Sequence, residues 1–424
     1  MVNGEVPAVK LRAWWARRQW LDGGRHRGAS AAQVLAATGW ARATGGAAPY
    51  LGLFARAGLR RAEVDAALAA LEVQELPAAR GRTYLLPAED FALGLAAGAG
   101  SVETELGAAE RQLGVTRDEI EQLCLAVTEL LSPVDPLTAK ELHARLGPAV
   151  RSLGEAGRRR GVATTLPPAL GLLQSRGLAR RVPVGGRLDR QSHGYLRWDR
   201  PVHGEAADLA RRYFAWAAPA SVRHFRWFSG FGAATAKAAL APLGLVRLPG
   251  SELLMPPELV DEFAGFTVPA EPAYALLAAA DGLHLLHRDL PRLVDPRDAD
   301  RPVPASRNGA SRDRASRSGA SRSGAHQSGR HGWGEQGGRP LGEETDPRTH
   351  LVVDRGRIIG FWEYDPELRE LVHELFVPMT PGLRAAIDAV EAFVREDLGD
   401  ARGSGPDSPR SRAPRLAALR AQEK

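Results

Sequence analysis

The chain lacks several features that would assign it to a class at once. Its 424 residues include a single cysteine, Cys124, which excludes an internal disulfide and any metal site built on a cysteine cluster. No apolar run approaches the roughly 20 residues that span a bilayer. No secretory signal pattern is visible near residue 1. We therefore expect a cytoplasmic protein that has no membrane association.

Lysine is also scarce, since only four of the 56 basic residues are lysines. The remainder are arginines, which bind phosphate and guanine in a bidentate manner that lysine cannot reproduce. The net charge is +6 and the sequence pI is about 9.8. This balance favours an anionic partner.

The common catalytic motifs are missing as well. There is no phosphate-binding glycine loop, no Gly-x-Ser-x-Gly nucleophile motif and no His-Glu-x-x-His helix. His284, His287 and Asp289 lie close together, but their spacing does not match a pair of zinc ligands on one helix face. We expect no metal at these residues, and the sequence supports binding better than catalysis.

The most informative stretch runs from residue 137 to residue 198. Thr138 precedes a short periodic apolar run and is a good helix N-cap. A second apolar run follows, and then two extended runs flank the pair Gly185 and Gly186, which indicates a hairpin. This order, with its basic residues, is typical of a winged-helix module that binds DNA. An ordinary α+β domain with a solvated basic face is the alternative.

A similar order of helices, strand, turn and strand occurs before and after this stretch. The sequence therefore predicts an α+β fold with about three tandem winged-helix modules, followed by a small β-rich C-terminal domain and a terminal helix. The low-complexity segment 302–348 and the tail 399–424 are predicted to be disordered. The expected divisions are 1–131, 132–203, 204–272, 273–398 with its insertion, and 399–424.

The predicted DNA contacts are polar and basic residues of the predicted modules, mostly in or near their turns. They are Arg42, Arg80, Arg82, Arg180, Arg187, Arg190, Gln191, His193, Arg226 and Lys237. Arginine and glutamine can hydrogen-bond base edges, whereas histidine can stack on an exposed base. The expected partner is double-stranded DNA, bound by a monomer associated with the nucleoid. Alternatively, these residues are scattered over the surface of an arginine-rich protein.

Several ordered stretches resemble the AlkZ-type winged-helix DNA glycosylase family. They are residues 80–90, 209–215, 225–230, 288–296 and 354–362. The resemblance implies tandem winged helices with a small β domain. It also implies excision of alkylated bases, or unhooking of DNA crosslinks, by hydrolysis of the N-glycosidic bond without a cofactor.

The catalytic signature that the resemblance implies is a glutamine, an apolar residue, and then glutamine or aspartate, soon after a glycine. Here the corresponding place after Gly39 has Ala41 and Ala43 at the two polar positions, with Arg42 between them. The resemblance also implies a histidine in a nearby stretch, and this sequence has Tyr84 at that position. Alanine cannot hold the attacking water, and arginine would repel a developing sugar cation.

Three hypotheses follow from this departure. The first is a DNA-binding protein that has lost the catalytic pair and recognises damaged or distorted duplex DNA. The second is an active glycosylase that uses another group, with Thr44, Tyr50 and Tyr84 as the catalytic candidates. The third is an interaction or regulatory protein that does not bind nucleic acid.

Overall fold

A computed structural model describes residues 6–24, 26–190, 192–304 and 338–422. The helices are α1 Ala8–Arg18, α2 Ala31–Thr38, α3 Ala48–Ala57, α4 Arg61–Ala69, α5 Phe91–Leu113, α6 Arg117–Leu130, α7 Ala139–Leu146, α8 Gly154–Arg159, α9 Leu166–Ser175, α10 Ala206–Ala217, α11 Val222–Ser229, α12 Ala233–Leu240, α13 Val260–Gly265, α14 Gly282–Leu285, α15 Pro381–Phe393 and α16 Pro409–Gln422. The strands are β1 Ala41–Arg42, β2 Val73–Pro77, β3 Thr83–Pro87, β4 Leu137–Thr138, β5 Ala179–Pro183, β6 His193–Arg197, β7 Val246–Arg247, β8 Leu254–Met255, β9 Tyr274–Leu277, β10 His350–Asp354, β11 Arg357–Asp365 and β12 Glu370–Leu375. This mixture of helices and small antiparallel sheets is an α+β fold, as predicted.

One order of elements recurs along the first 255 residues: a helix, a short strand, further helices and a hairpin. It appears as α2 to β3 with strand order β1-β3-β2, and again as α6 to β6 with strand order β4-β6-β5. From α10 to β8, a bridge between Ala220 and Leu254 takes the place of the short strand. The three hairpins are therefore equivalent in topology.

Local sequence signals explain where these elements begin and turn. The hydroxyls of Ser30, Thr138 and Ser221 each accept a hydrogen bond from the backbone amide three residues later, which caps α2, α7 and α11. In the second hairpin, Gly185 and Gly186 have φ angles of 79° and 74°. Most side chains avoid this left-handed region, so the glycine pair allows the turn between β5 and β6.

The C-terminal strands form one antiparallel sheet of order β12-β11-β10-β9. One face of this sheet shares a hydrophobic cluster with α2, α3 and α15, and the other face shares one with α1. A buried ion pair adds to this junction: Arg56 of α3 donates to Asp281 at 2.8 and 2.9 Å and to Gln19 at 3.0 Å. The N-terminal helices and the C-terminal sheet therefore pack as one body, although the predicted division places them in separate domains.

The prediction of a disordered tail is corrected by the structure. Residues 409–422 form α16, in which Arg412 and Arg415 are 0% and 2% exposed. Arg415 donates to Glu363 of β11 at 2.7 Å and to Asp407 at 2.8 Å, and Arg412 donates to Asp400. The composition suggested a solvated segment, but buried charge is tolerated where it is paired in this way.

Of the predicted disordered segment 302–348, residues 305–337 lie outside the described residues. The flanking parts are ordered, because Pro302 and Pro340 form an isolated antiparallel bridge and residues 341–343 form a short 3₁₀ helix. After this segment, β10, β11 and β12 supply three of the four strands of the C-terminal sheet. Within the described ranges, no helix is long and apolar enough to cross a bilayer.

Candidate nucleic-acid interface

A cleft lies between the first hairpin unit, α11 and the C-terminal region. Its larger part has a volume of about 640 Å³. It is lined by Arg42 and Thr44, by residues 346–348 and by several residues between 403 and 415. Its smaller part has a volume of about 320 Å³ and is lined by Arg80, Arg82, Tyr84 and Trp227 among others. The two parts share Arg42, Leu285 and Asp346, so they are adjacent, and we describe them together as the cleft.

Strand β1 decides which side chains reach the cleft. Successive residues of a strand point to opposite faces, so Ala41 and Arg42 of β1 point in opposite directions. Arg42 and Thr44 both line the cleft. Ala41 and Arg42 both border a small interior space of about 20 Å³, and Ala43 is buried, but neither alanine lines the cleft. The cleft-facing pair at this place is therefore Arg42 and Thr44 and not the two alanines.

Arg42 is held in place by its neighbours without a carboxylate. Its guanidinium donates to the carbonyl oxygen of Thr83 at 3.1 Å and lies 5.2 Å from the ring centre of Tyr84, its partner in the strand register. Partial burial lowers the pKa of Arg42 below its usual value. It is still charged at neutral pH, because arginine ionises far above that range.

Tyr84 places a neutral aromatic ring beside Arg42. Burial raises the pKa of its phenol, partly offset by Arg42, Arg80 and Arg82. The phenol is therefore protonated at neutral pH and cannot serve as a base there. It can still stack or donate a hydrogen bond.

Trp227 is the second aromatic group of the cleft. The guanidinium carbon of Arg80 lies 3.3 Å from its ring centre, and that of Arg288 lies 4.1 Å away. Burial lowers the pKa of Arg80 to about 10, which leaves it charged at neutral pH. Arg288 also pairs with Asp346. The two guanidinium groups cover the Trp227 ring closely, so this ring holds both arginines beside the cleft.

The cleft carries an excess of positive charge. Its two carboxylates are already engaged, Asp346 with Arg288 and Asp407 with Arg415. Four arginines that line it form no ion pair with any described residue, and we refer to them as the arginine quartet. The quartet is Arg42, Arg80, Arg82 and Arg348. An anionic group that enters the cleft would therefore meet unneutralised guanidinium groups.

The structure brings some predicted site residues together and separates others. Arg42, Arg80, Arg82, Thr44 and Tyr84 meet at the cleft. Tyr50 does not, because it is fully buried, donates its hydroxyl to Asp65 and accepts from the amide of Leu188 at 2.9 Å. Burial raises the pKa of Tyr50, which fits a structural role.

The second hairpin packs largely against the rest of the protein. Arg180 lies 3.4 Å from the Gln74 amide oxygen, and His193 lies 3.5 Å from the buried Glu75 carboxylate. Arg187 donates to Asp189 and to the carbonyl oxygen of Leu398 at 2.9 Å. These residues are therefore occupied by internal contacts.

The remaining predicted contacts are spread over other surfaces. Arg190, Arg226 and Lys237 are exposed and form no ion pair within the described part of the chain. Gln191 lies outside the described residues. None of these residues lines the cleft.

Sequence reasoning missed three parts of the cleft: Trp227, Arg348 and the C-terminal residues 403–411. Trp227 stood in one of the resembling stretches, so an aromatic next to Arg226 was an available signal. Arg348 is the last residue of segment 302–348, which was predicted to be disordered. The C-terminal residues reach the cleft only through long-range packing. The described residues contain no cluster of three or more histidine, cysteine, aspartate or glutamate residues placed to hold a metal.

An arginine-rich cleft with aromatic side chains beside the first hairpin is the kind of surface that nucleic-acid-binding α+β proteins present. The chain belongs to the AlkZ-like DNA glycosylase family, since the model for "DNA glycosylase AlkZ-like" matches residues 32–395. Among solved structures, the chain is similar to the Streptomyces sahachiroi DNA glycosylase AlkZ, with a TM-score of 0.65 and 20% identity. That similarity covers 95% of this chain and 99% of the other. No curated protein matches the chain.

Proposed function

We propose that this protein binds damaged or distorted double-stranded DNA, and that the cleft with the arginine quartet is where it contacts the DNA. The single observation that carries the proposal is the presence of four unpaired arginines beside Tyr84 and Trp227 in a member of a DNA glycosylase family. Guanidinium groups neutralise phosphates, and an aromatic side chain such as Tyr84 can stack on a base that has left the duplex.

The recurring order of helices and hairpin supports a finer proposal about the binding mode. We take each of the three units as a winged-helix module and the protein as a monomer that works in the cytoplasm near the nucleoid. In such modules a helix enters the major groove. The second hairpin packs against Gln74 and Glu75 of β2, so the turn of the first hairpin, with Arg80 and Arg82, is the better placed to meet DNA.

The chemistry of the cleft favours binding over hydrolysis of the N-glycosidic bond. A glycosylase stabilises a sugar that becomes positively charged as the base leaves, and the central position here belongs to Arg42. Its charge opposes that step. Thr44 is a polar neighbour of Arg42 in the cleft, and its hydroxyl donates to the carbonyl oxygen of Gly403 at 2.8 Å.

An active glycosylase is the second candidate function, supported by the family membership. Thr44 and Tyr84 are then the cleft residues to test for catalysis. Tyr50 is set aside, because its hydroxyl is already used by Asp65 and Leu188.

One experiment separates the two candidates. A duplex that carries an alkylated base, and the same duplex without it, are titrated with the protein while released base is quantified. Preferential binding to the alkylated duplex without release is the expected result. Release above the uncatalysed rate would establish the glycosylase instead, and affinity that does not fall as salt rises would exclude DNA binding through phosphates.

A further inference from the structure

A second groove, with a volume of about 500 Å³, lies on the unit that runs from α6 to β6. Helices α7 and α9 and strand β6 supply most of its lining, and we refer to it as the α7–α9 groove. No residue of this groove lines the cleft. It is therefore a separate surface, and the proposed function gives it no role.

The lining of the α7–α9 groove is mainly apolar. Ala144 of α7 and Pro167 of α9 are exposed there. Leu166 and Leu170 also line the groove, although each is only 3% exposed. Burying apolar surface is favourable by about 25 cal/mol per Å², so a partner that covers these side chains gains binding energy. An apolar depression that the protein itself leaves open marks a place where a partner docks.

Helix α9 is poorly suited to reading DNA. In a winged-helix module the helix before the hairpin enters the major groove, where basic and amide side chains read the base edges. Residues 166–175 contain no arginine or lysine. The amide side chain of Gln174 donates back to the carbonyl oxygen of Leu170 at 3.1 Å. The groove beside α9 therefore suits apolar side chains better than base pairs.

The rim of the groove carries positive charge that no ion pair neutralises. Lys140 and His143 are exposed on α7 and line the groove, and neither forms an ion pair with a described residue. No aspartate or glutamate of the described chain lines it. Glu141, the one carboxylate of α7, is engaged at Thr138, whose amide and hydroxyl both donate to it at 2.7 Å. Charge complementarity therefore selects a partner that carries carboxylates.

Tyr195 of β6 adds a hydrogen-bond donor to the groove. Its hydroxyl makes no hydrogen bond to another described residue. Burial raises the pKa of the phenol, which therefore stays protonated at neutral pH. A protonated phenol can donate to a carboxylate or to a peptide carbonyl oxygen.

We propose that the α7–α9 groove binds an acidic peptide of a partner protein, with apolar side chains of the peptide in the groove and its carboxylates at Lys140 and His143. The apolar lining supplies the binding energy, and the basic rim selects acidic peptides. This inference goes beyond the proposed function, because it assigns a protein partner to a face that does not line the DNA-binding cleft.

A synthetic peptide tests the proposal. The probe is fluorescein-labelled and consists of four aspartates followed by leucine, alanine and phenylalanine. One control peptide has asparagine in place of each aspartate, and the other has serine in place of the leucine and the phenylalanine. Fluorescence anisotropy with the full chain at low salt gives the three affinities. We expect the probe to bind, and each control peptide to bind about tenfold more weakly or worse.

Two substitutions test whether the peptide lies in the groove. Lys140→Glu reverses the charge at the rim, and Ala144→Trp fills the groove from an exposed position of the same helix. The matched controls are Arg160→Glu and Ala156→Trp, which change exposed residues of the same unit outside the groove. We expect peptide binding to weaken about fivefold in Lys140→Glu and about tenfold in Ala144→Trp, with wild-type affinity in both controls.

Failure of the wild-type protein to bind the probe, or wild-type affinity in either groove variant, would overturn the proposal. A loss of duplex affinity or of self-association in Ala144→Trp without peptide binding would also overturn it, because the groove would then take DNA or a second copy of the chain. Circular dichroism checks that each variant is folded. If Ala144→Trp does not fold, Lys140→Glu and its control decide the question.

Discussion

Individual arginines in this chain have different roles, and their partners indicate which role each one has. Arg187 and Arg190 are three residues apart near the second hairpin. The Arg187 side chain is 20% exposed and is paired with Asp189, whereas Arg190 is exposed and has no ion-pair partner in the described structure. The sequence presents both as candidates for DNA contact.

Replacing each of these arginines by alanine should separate stability from binding. We expect Arg187→Ala to lower the free energy of unfolding by about 1–3 kcal/mol, because it leaves Asp189 without its charged partner. Arg190→Ala should leave stability unchanged and serve as the control. Denaturant unfolding and a salt titration of DNA affinity measure both quantities, and a smaller salt slope for Arg187→Ala at wild-type stability would contradict the assignment.

Glu363 is a buried carboxylate whose ionisation should affect stability. Its side chain is fully buried, and burial raises its pKa from 4.5 to about 7, partly offset by Arg415. A raised pKa means that the protonated acid is favoured in the folded protein. The resulting stability is present below pH 4.5 and is lost as the pH rises through 7.

Comparing Glu363→Gln with the wild type isolates this effect. The free energy of unfolding of the wild type minus that of the variant should fall by on the order of 3 kcal/mol between pH 4.5 and pH 8, since each pKa unit is worth about 1.4 kcal/mol. Taking the difference cancels groups that titrate alike in both proteins. Parallel pH profiles would show that Glu363 keeps an ordinary pKa.

At the scale of elements, α16 is the helix that the composition did not predict. Its residues are rich in arginine, and such a sequence suggests a solvated tail. Arg415 can be buried because it pairs with Glu363, which lies 52 residues earlier in the chain. Local sequence patterns cannot reveal a partner at that distance, whereas the caps at Ser30, Thr138 and Ser221 are local and were readable.

The anchoring of α16 can be tested within the helix itself. Arg415→Ala should lower the free energy of unfolding by about 3–5 kcal/mol, because it leaves Glu363 and Asp407 without their buried partner. Arg410→Ala is the matched control, since Arg410 is exposed on the same helix. Chemical denaturation of both variants gives the two values, and equal small losses would mean that the buried pairs do not hold the helix.

At the scale of the whole molecule, sequence reasoning found half of the candidate site. Arg42, Arg80, Arg82, Thr44 and Tyr84 lie in or next to the first hairpin unit, and the resemblance pointed to that unit. Trp227, Arg348 and the C-terminal residues 403–411 arrive from three distant parts of the chain. Their meeting depends on how the C-terminal sheet packs on the N-terminal helices, which periodicity and turn signals do not determine.

The same packing determines which residues near β1 face the cleft. The two polar positions of the family signature hold alanines, whereas Arg42 and Thr44 line the cleft. The cleft therefore contains polar groups. Its positive charge does not suit a developing sugar cation. Its surplus of guanidinium groups is the feature on which the proposed function depends.

The measurement that tests this account most directly is the salt dependence of DNA affinity, for the wild type and for a variant with the arginine quartet changed to glutamine. Each phosphate contact contributes a slope of about 0.9 in a plot of log affinity against log salt. If the four arginines contact phosphates, the slope should decrease by about three to four units, with the fold retained by circular dichroism. An unchanged slope would contradict the claim that this cleft is the DNA-binding surface.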